Sequence, residues 1–158
     1  MTVCFTGHRK LEPNNIVQTV SLLEEKIERL AETGAALSEN VDFRAGGAVG
    51  FDTLAALCVL SAKEKFPNVR LHLLLPCRDQ TYGWSDSDIE KYNYILSQAD
   101  SVRYVSEKWA SGCMFKRDRA LVDGADLCIA YCNKATGGTA YTVSYARERG
   151  VEVENIYK

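Results

Sequence analysis

The chain has 158 residues, close to the length of one ordinary domain. Its 46% apolar and 25% charged residues are globular values that exclude a disordered or fibrous chain. Nineteen Lys and Arg against 21 Asp and Glu leave a net charge of −2, which argues against bulk nucleic-acid binding, since that needs a basic surface.

No run approaches the roughly 18 apolar residues of a membrane span. The opening MTVCFTG reads as a strand rather than a signal peptide, so a soluble, cytoplasmic protein without membrane contact is expected. Of the six cysteines, Cys4, Cys58, Cys128 and Cys132 lie in apolar runs, where a reduced thiol packs as a small hydrophobe. There is no C-x-x-C, and Cys128 and Cys132 lack partners at zinc spacing, so neither disulfides nor a metal site are expected.

Short apolar runs alternate with helical patterns along the whole chain. Val3–Phe5 is a first strand. Over 14–32, Ile16, Val20, Leu23, Ile27 and Leu30 recur at steps of four and three, one stripe of an amphipathic helix, and Gly34 reads as its stop. Val41–Ala45 is a second strand, 50–65 a second helix, and Val69–Leu75, closed by Pro76, a third strand buried on both faces. After the loop 76–85, either Ser85 with Asp88 or Ser87 with Glu90 caps a helix whose inner side is Ile89, Tyr92, Ile95 and Leu96. Val102–Val105 is a short strand, 112–124 a helix, Asp126–Tyr131 a strand, 139–149 a helix ended by Gly150, and Val151–Ile156 a last strand. This alternation specifies an α/β sandwich with a mainly parallel sheet. With no linker, repeat or composition break, residues 1–158 read as a single domain. The first and fifth strands are expected to be neighbours, with the 102–105 strand at an edge.

In open parallel sheets, ligands bind beyond the carboxyl ends of the strands, where strand order reverses. After the first strand come Thr6, Gly7, His8 and Arg9; after the second, Gly46, Gly47, Ala48, Val49, Gly50, Phe51 and Asp52; after the fifth, Gly137, Gly138 and Thr139. Six of the 11 glycines fall in these three loops. Glycine lets backbone approach a ligand, and the unpaired N–H groups of a helix start, with its dipole, suit a phosphate. Two such starts, at Gly50 and Gly138, are expected to face one crevice and take a small phosphorylated ligand. The known fingerprints are absent: 46–50 is not G-x-G-x-x-G, and no G-K-[ST] occurs, so neither hydride transfer nor P-loop phosphoryl transfer is supported.

TGHR after strand one, GGAVGFDTLAA after strand two, Pro76…Gln80…Trp84, KRDRALVD and GGTAYTVSYA together resemble the YpsA-like branch of the SLOG superfamily. That superfamily also holds the LOG phosphoribohydrolases and the DNA-processing protein DprA. The resemblance implies a Rossmann-like three-layer sandwich and a nucleotide-type ligand: ADP-ribose, an NAD-related molecule or a nucleoside phosphate. No other cofactor is implied, and a homo-oligomer is compatible with it.

Each candidate residue has a second reading. Arg9 offers a rigid fork for phosphate and His8 a donor or a stacking ring, against a surface Arg and a loop-packed His. Asp52 either stabilises the start of its helix or accepts from a ribose hydroxyl. On the fourth helix, Arg117 and Arg119 point apart. The resemblance assigns the ligand-facing role to Arg117, the other reading being a solvated basic face with Lys116. It also implies Asn after that Arg, where this chain has Asp118, which replaces an amide donor by a carboxylate. Thr139 and Thr142 open the last long helix, where Thr139 can cap N–H groups or hold a phosphate oxygen. Tyr82 and Trp84 either close over a base or pack on the sheet edge. Cys77 has no paired His in sequence and reads as no nucleophile.

Two functions follow: a binding or sensing module for a nucleotide-type ligand, and a LOG-like hydrolase of the N-glycosidic bond of nucleoside monophosphates. LOG relatives use a Glu where this chain places Ser144. A hydroxyl cannot replace that carboxylate, so binding is preferred and no catalytic residue is assigned. Single-stranded DNA binding, as in DprA, is set aside here on the acidic balance and the lack of an evident basic-aromatic groove.

Overall fold

The computed structural model describes all 158 residues. Six parallel strands, β1 (Thr2–Gly7), β2 (Val41–Ala45), β3 (Val69–Leu75), β4 (Ser101–Tyr104), β5 (Leu127–Tyr131) and β6 (Glu152–Asn155), form one sheet in the order β4-β3-β2-β1-β5-β6. Five helices connect them: α1 (Ile16–Ala36), α2 (Phe51–Lys65), α3 (Asp86–Gln98), α4 (Cys113–Val122) and α5 (Gly138–Glu148). The sheet is wholly parallel and the fold Rossmann-like. As expected, β1 pairs with β5 and β4 is an edge.

Alternation along the strands divides the interior. Val3, Phe5, Val41, Phe43, Leu71 and Leu73 face α1, α2 and α3 in the larger core. Cys4, Leu74 and Cys128 face Leu121, Val122 and Ala146 of α4 and α5. Helices thus lie on both sides of the sheet, and each long βαβ crossover buries the apolar stripe of its helix. Ring stacking of Phe5 on Phe43, at 5.8 Å between centroids, and of Phe51 on Tyr131, at 5.7 Å, knits β1, β2, α2 and β5 beneath the loops that follow β1 and β5.

The boundaries correct the sequence reading in two places. Gly34 does not stop α1 but lies buried within it, because a Cβ there would come within 2.7 Å of Val41 Cγ2; it is a point of close helix–sheet approach. The helix ends instead through Ser38, which takes the left-handed conformation (φ 57°) as Glu39 N donates to Gly34 O. Before α1, Pro13–Asn15 forms a 3₁₀ turn. Of the two caps considered for α3, Ser85 is used, its Oγ accepting from Asp88 N at 3.2 Å. No helix is long and apolar enough to cross a membrane.

Candidate functional site

Strand order reverses between β1 and β5. There the loops beyond their carboxyl ends open a crevice of about 610 Å³, within the range of small-molecule sites. Thr6, Gly7, His8 and Arg9 enter it from β1, Asp52 from α2, Arg117 from α4, and Gly137, Gly138 and Thr139 from the start of α5. Nine of the twelve residues singled out from the sequence therefore share one cavity.

Gly46, Gly47 and Gly50 do not line it. The Gly46 carbonyl accepts from Arg117 Nη1, Gly47 O accepts from Gln80 Nε2 at 3.0 Å, and Gly50 (φ 83°) lies against the backbone of His8 and Arg9. The first N–H of α2, that of Phe51, donates to His8 O at 3.1 Å. One of the two expected phosphate sites is therefore filled by the protein's own chain: the start of α2 clasps the loop after β1. The start of α5 differs. Nothing lies within 4 Å of a Cβ built on Gly137 or Gly138, and both glycines open onto the crevice.

Arg117 is buried (6% exposed) in the wall between two carboxylates. Its Nε donates to Asp118 Oδ1 at 2.8 Å and its Nη1 to Gly46 O, and Asp52 Oδ2 lies beside it over Gly46, where a Cβ would come within 2.9 Å of both side chains. The solvated-basic-face reading is thus excluded for Arg117. Burial pushes the Asp52 carboxyl up to about 6, against the pull of Arg117 and of the Ala48 N–H that it accepts at 3.2 Å. Burial also raises the Asp118 carboxyl, again opposed by Arg117. Asp118 lines the cavity, so the carboxylate that replaces the expected Asn sits in the site itself.

His8 ties the two loops together. Its Nε2 accepts the Asn133 N–H at 3.0 Å and its ring meets Tyr131 edge-on, while burial, and then the charge of Lys134, lowers its pKa and favours the neutral ring. Tyr82 and Trp84 form no lid: Tyr82 is 93% exposed, and Trp84 packs edge-on against Tyr92 of α3. Thr142 is buried, its Oγ1 donating to Gly138 O, while Thr139 faces the cavity without capping the helix. Ser144 is exposed on α5 and does not line the crevice.

Lys10, Met114, Leu121, Lys134 and Thr136 also line the cavity and were not singled out. Two signals point to them: Met114, Arg117, Asp118 and Leu121 make one helical stripe, and Lys134 and Thr136 follow β5 as TGHR follows β1. Arg9, Lys10 and Lys134 are exposed at the rim with no carboxylate at ion-pair distance. A floor of two carboxylates around a buried Arg thus carries a rim of three uncommitted cations.

This crevice, set at the reversal of a parallel sheet between glycine-bearing βα loops, defines a Rossmann-like α/β protein. The sequence model of the YpsA family, described as the YspA SLOG family, matches residues 3–156, and the chain belongs to that family. It is similar to UPF0398 proteins of Bacillus thuringiensis (strain Al Hakam), 31% identical over 114 residues, and of Bacillus anthracis (strain A0248), 30% identical over 114 residues. Each match takes in 70% of this chain and 61% of the relative. The matched region thus spans about three fifths of the length of those relatives. Among solved structures, DNA processing protein A (DprA) of Helicobacter pylori superposes at a TM-score of 0.66 with 18% identity, covering 97% of this chain and 63% of that one. DprA of Streptococcus pneumoniae does so at 0.68 with 18% identity, covering 96% and 48%. At that identity the likeness is one of fold.

The H. pylori structure is described by its single-stranded DNA binding mode. This overturns the expectation of no bulk nucleic-acid binding drawn above from the charge balance. A net charge is a sum over the surface, whereas phosphate contacts are local, and here three uncommitted cations stand at one rim of a chain whose total is −2.

Proposed function

We propose that the crevice binds the phosphate of a nucleotide-type ligand at the start of α5, with Arg9 and Lys134 closing on it from the rim. The observation that carries this reading is the contrast between two glycine-led helix starts, that of α2 clasped by His8 O and that of α5 open to the cavity. In this reading Asp118 and Asp52 accept from ribose hydroxyls, Asp118 being held by Arg117 and Asp52 by the Ala48 N–H and the charge of Arg117. Thermal-shift titration with AMP, ADP-ribose and NAD tests it. A binder at about 100 times its Kd adds roughly 2.7 kcal/mol, several degrees in Tm. Arg9→Ala is expected to weaken the shift about tenfold in ligand concentration. No shift with any of the three, or one that Arg9→Ala leaves unchanged, overturns the assignment.

A second reading is favoured by the likeness to H. pylori DprA, described by how it binds single-stranded DNA: the nucleotide unit in the crevice belongs to a strand. An oligonucleotide that competes with AMP for the crevice separates the two readings.

A further inference from the structure

A second cavity, of about 570 Å³, lies on the face of the sheet turned away from α1, α2 and α3. On this face α4 packs against β1 and β3 and α5 against β1, β5 and β6, which leaves a trough beside α4 with Asp42, Arg44, His72 and Arg103 of β2, β3 and β4 along its floor. Four cations line it, Arg44, Arg103, Lys116 and Arg119, against two carboxylates that are already engaged. Asp42 accepts from Arg70 Nε at 2.9 Å and meets His72 Nε2 at 2.7 Å, and Asp123 accepts the Tyr145 hydroxyl. Arg44 is spent on carbonyls at the end of α4, whereas exposed Arg103 and Lys116 make no hydrogen bond or ion pair within the chain.

An aromatic ladder borders this trough. Phe115, 46% exposed, meets Tyr141 at 4.7 Å between centroids, and Tyr141 stacks on Tyr145. Arg119 Nη1 donates to Tyr141 Oη at 3.0 Å, which joins the ladder to the cations. Helix α4 therefore has two working faces: Met114, Arg117 and Asp118 on the crevice, Lys116 and Arg119 on the trough, with Phe115 between them in sequence.

We infer that the trough and its ladder bind single-stranded nucleic acid, Arg103 and Lys116 taking backbone phosphates and Phe115 stacking a base. Uncommitted cations beside an exposed ring, here Phe115, that can stack a base without regard to sequence are the two components such a surface needs. A protein partner with an acidic patch would use the cations and leave the ring idle. The inference rests on the second reading above, that this chain binds a strand at all, and adds a surface outside the crevice.

The test is fluorescence anisotropy of a labelled 20-nucleotide oligo(dT) with the intact chain, as a function of salt. Arg103→Ala with Lys116→Ala is expected to weaken binding at least tenfold and to flatten the salt dependence by about 1.4 in log–log slope, at roughly 0.7 per phosphate contact. Phe115→Ala is expected to weaken it about tenfold at constant salt slope. All three side chains are exposed, so the variants should melt like the parent, and Arg103→Lys with Lys116→Arg should retain binding. If the parent binds and these variants bind equally well, the trough is overturned while the strand reading stands. If a duplex binds as tightly as the single strand, stacking is idle and the single-strand assignment fails. If the parent binds no oligonucleotide even at low salt, both fail together.

Discussion

A Cβ on Gly50 would lie 2.2 Å from the carbonyl oxygen of Arg9, so the turn that starts α2 and the loop that follows β1 fit only because residue 50 has no side chain. Its φ of 83° is also a conformation that L side chains resist. Gly50→Ala is therefore expected to destabilise the protein by about 2–3 kcal/mol, roughly 5–10 °C in Tm. Gly138→Ala meets nothing within 4 Å and is expected to melt within about 2 °C of the parent, yet to weaken any nucleotide-dependent Tm shift about tenfold by narrowing the open helix start. Melting curves with and without AMP read both. Equal stability of the two variants would contradict the division between a clasping and an open glycine loop.

That division marks the boundary of what the sequence alone conveys. Strand–helix alternation, the pairing of β1 with β5 and the edge position of β4 follow from periodicity and from where loops must open, and the TGHR and GGT loops do share one crevice. Not legible was which glycine loop the chain itself would occupy, because His8 O and Phe51 N are 43 positions apart and meet only when β1 and α2 are packed. The same holds for Gly34. A glycine near a helix end and a glycine at a close helix–sheet approach look alike until Val41 is placed beside it. The trough was missed for another reason: Lys116 and Arg119 share α4, but Arg44 and Arg103 come from β2 and β4, and a net charge cannot show that three-dimensional packing gathers them.

Arg117 is the sole buried cation beside Asp52 and Asp118: it donates to Asp118 and to Gly46 O and acts on Asp52 through its charge. Removing it leaves two buried carboxylates with only the more distant charge of exposed Arg9, so Arg117→Ala is expected to cost about 3–5 kcal/mol. Arg117→Lys keeps the charge but cannot hold Asp118 and Gly46 in one planar fork, and an intermediate loss is expected. Denaturant titration measures both. A stability unchanged in Arg117→Ala would mean that the carboxylates are neutral without help.

Thiol chemistry distinguishes the six cysteines. Burial raises Cys58 to about 12 and Cys77 to about 11, and Cys4 is raised well above the usual thiol range, chiefly by its hydrogen bond with Cys128 and then by burial. Cys113 and Cys128 are also buried, and Cys132, beyond β5, is the only one with appreciable exposure. A disulfide reagent at pH 8 is expected to modify one thiol quickly in the native protein and all six after denaturation, with Cys132→Ser abolishing the fast phase. Fast modification of two or more native thiols would show that the core opens near Cys77 or Cys113.

Asp52 should make stability depend on pH in the direction opposite to most carboxylates. Its folded pKa of about 6 lies above the ordinary unfolded value of roughly 4, so between those values the native state holds more protons than the unfolded chain. Stability from this group is complete below about pH 4, falls as pH rises through 4 to 6, and is lost above. At 1.36 kcal/mol per unit, the swing is up to about 3 kcal/mol. Asp42 and Asp100, whose pKa values are lowered in the folded state, run the other way, and their contribution is common to both proteins when the parent is compared with Asp52→Asn. The asparagine Oδ1 can still accept from Ala48 N but cannot ionise. Denaturant unfolding of both proteins from pH 4 to 7 is expected to show the parent losing about 2–3 kcal/mol relative to Asp52→Asn across that window. Parallel curves would place the Asp52 carboxyl at its ordinary pKa and mean that burial does not penalise its charge at the floor of the crevice.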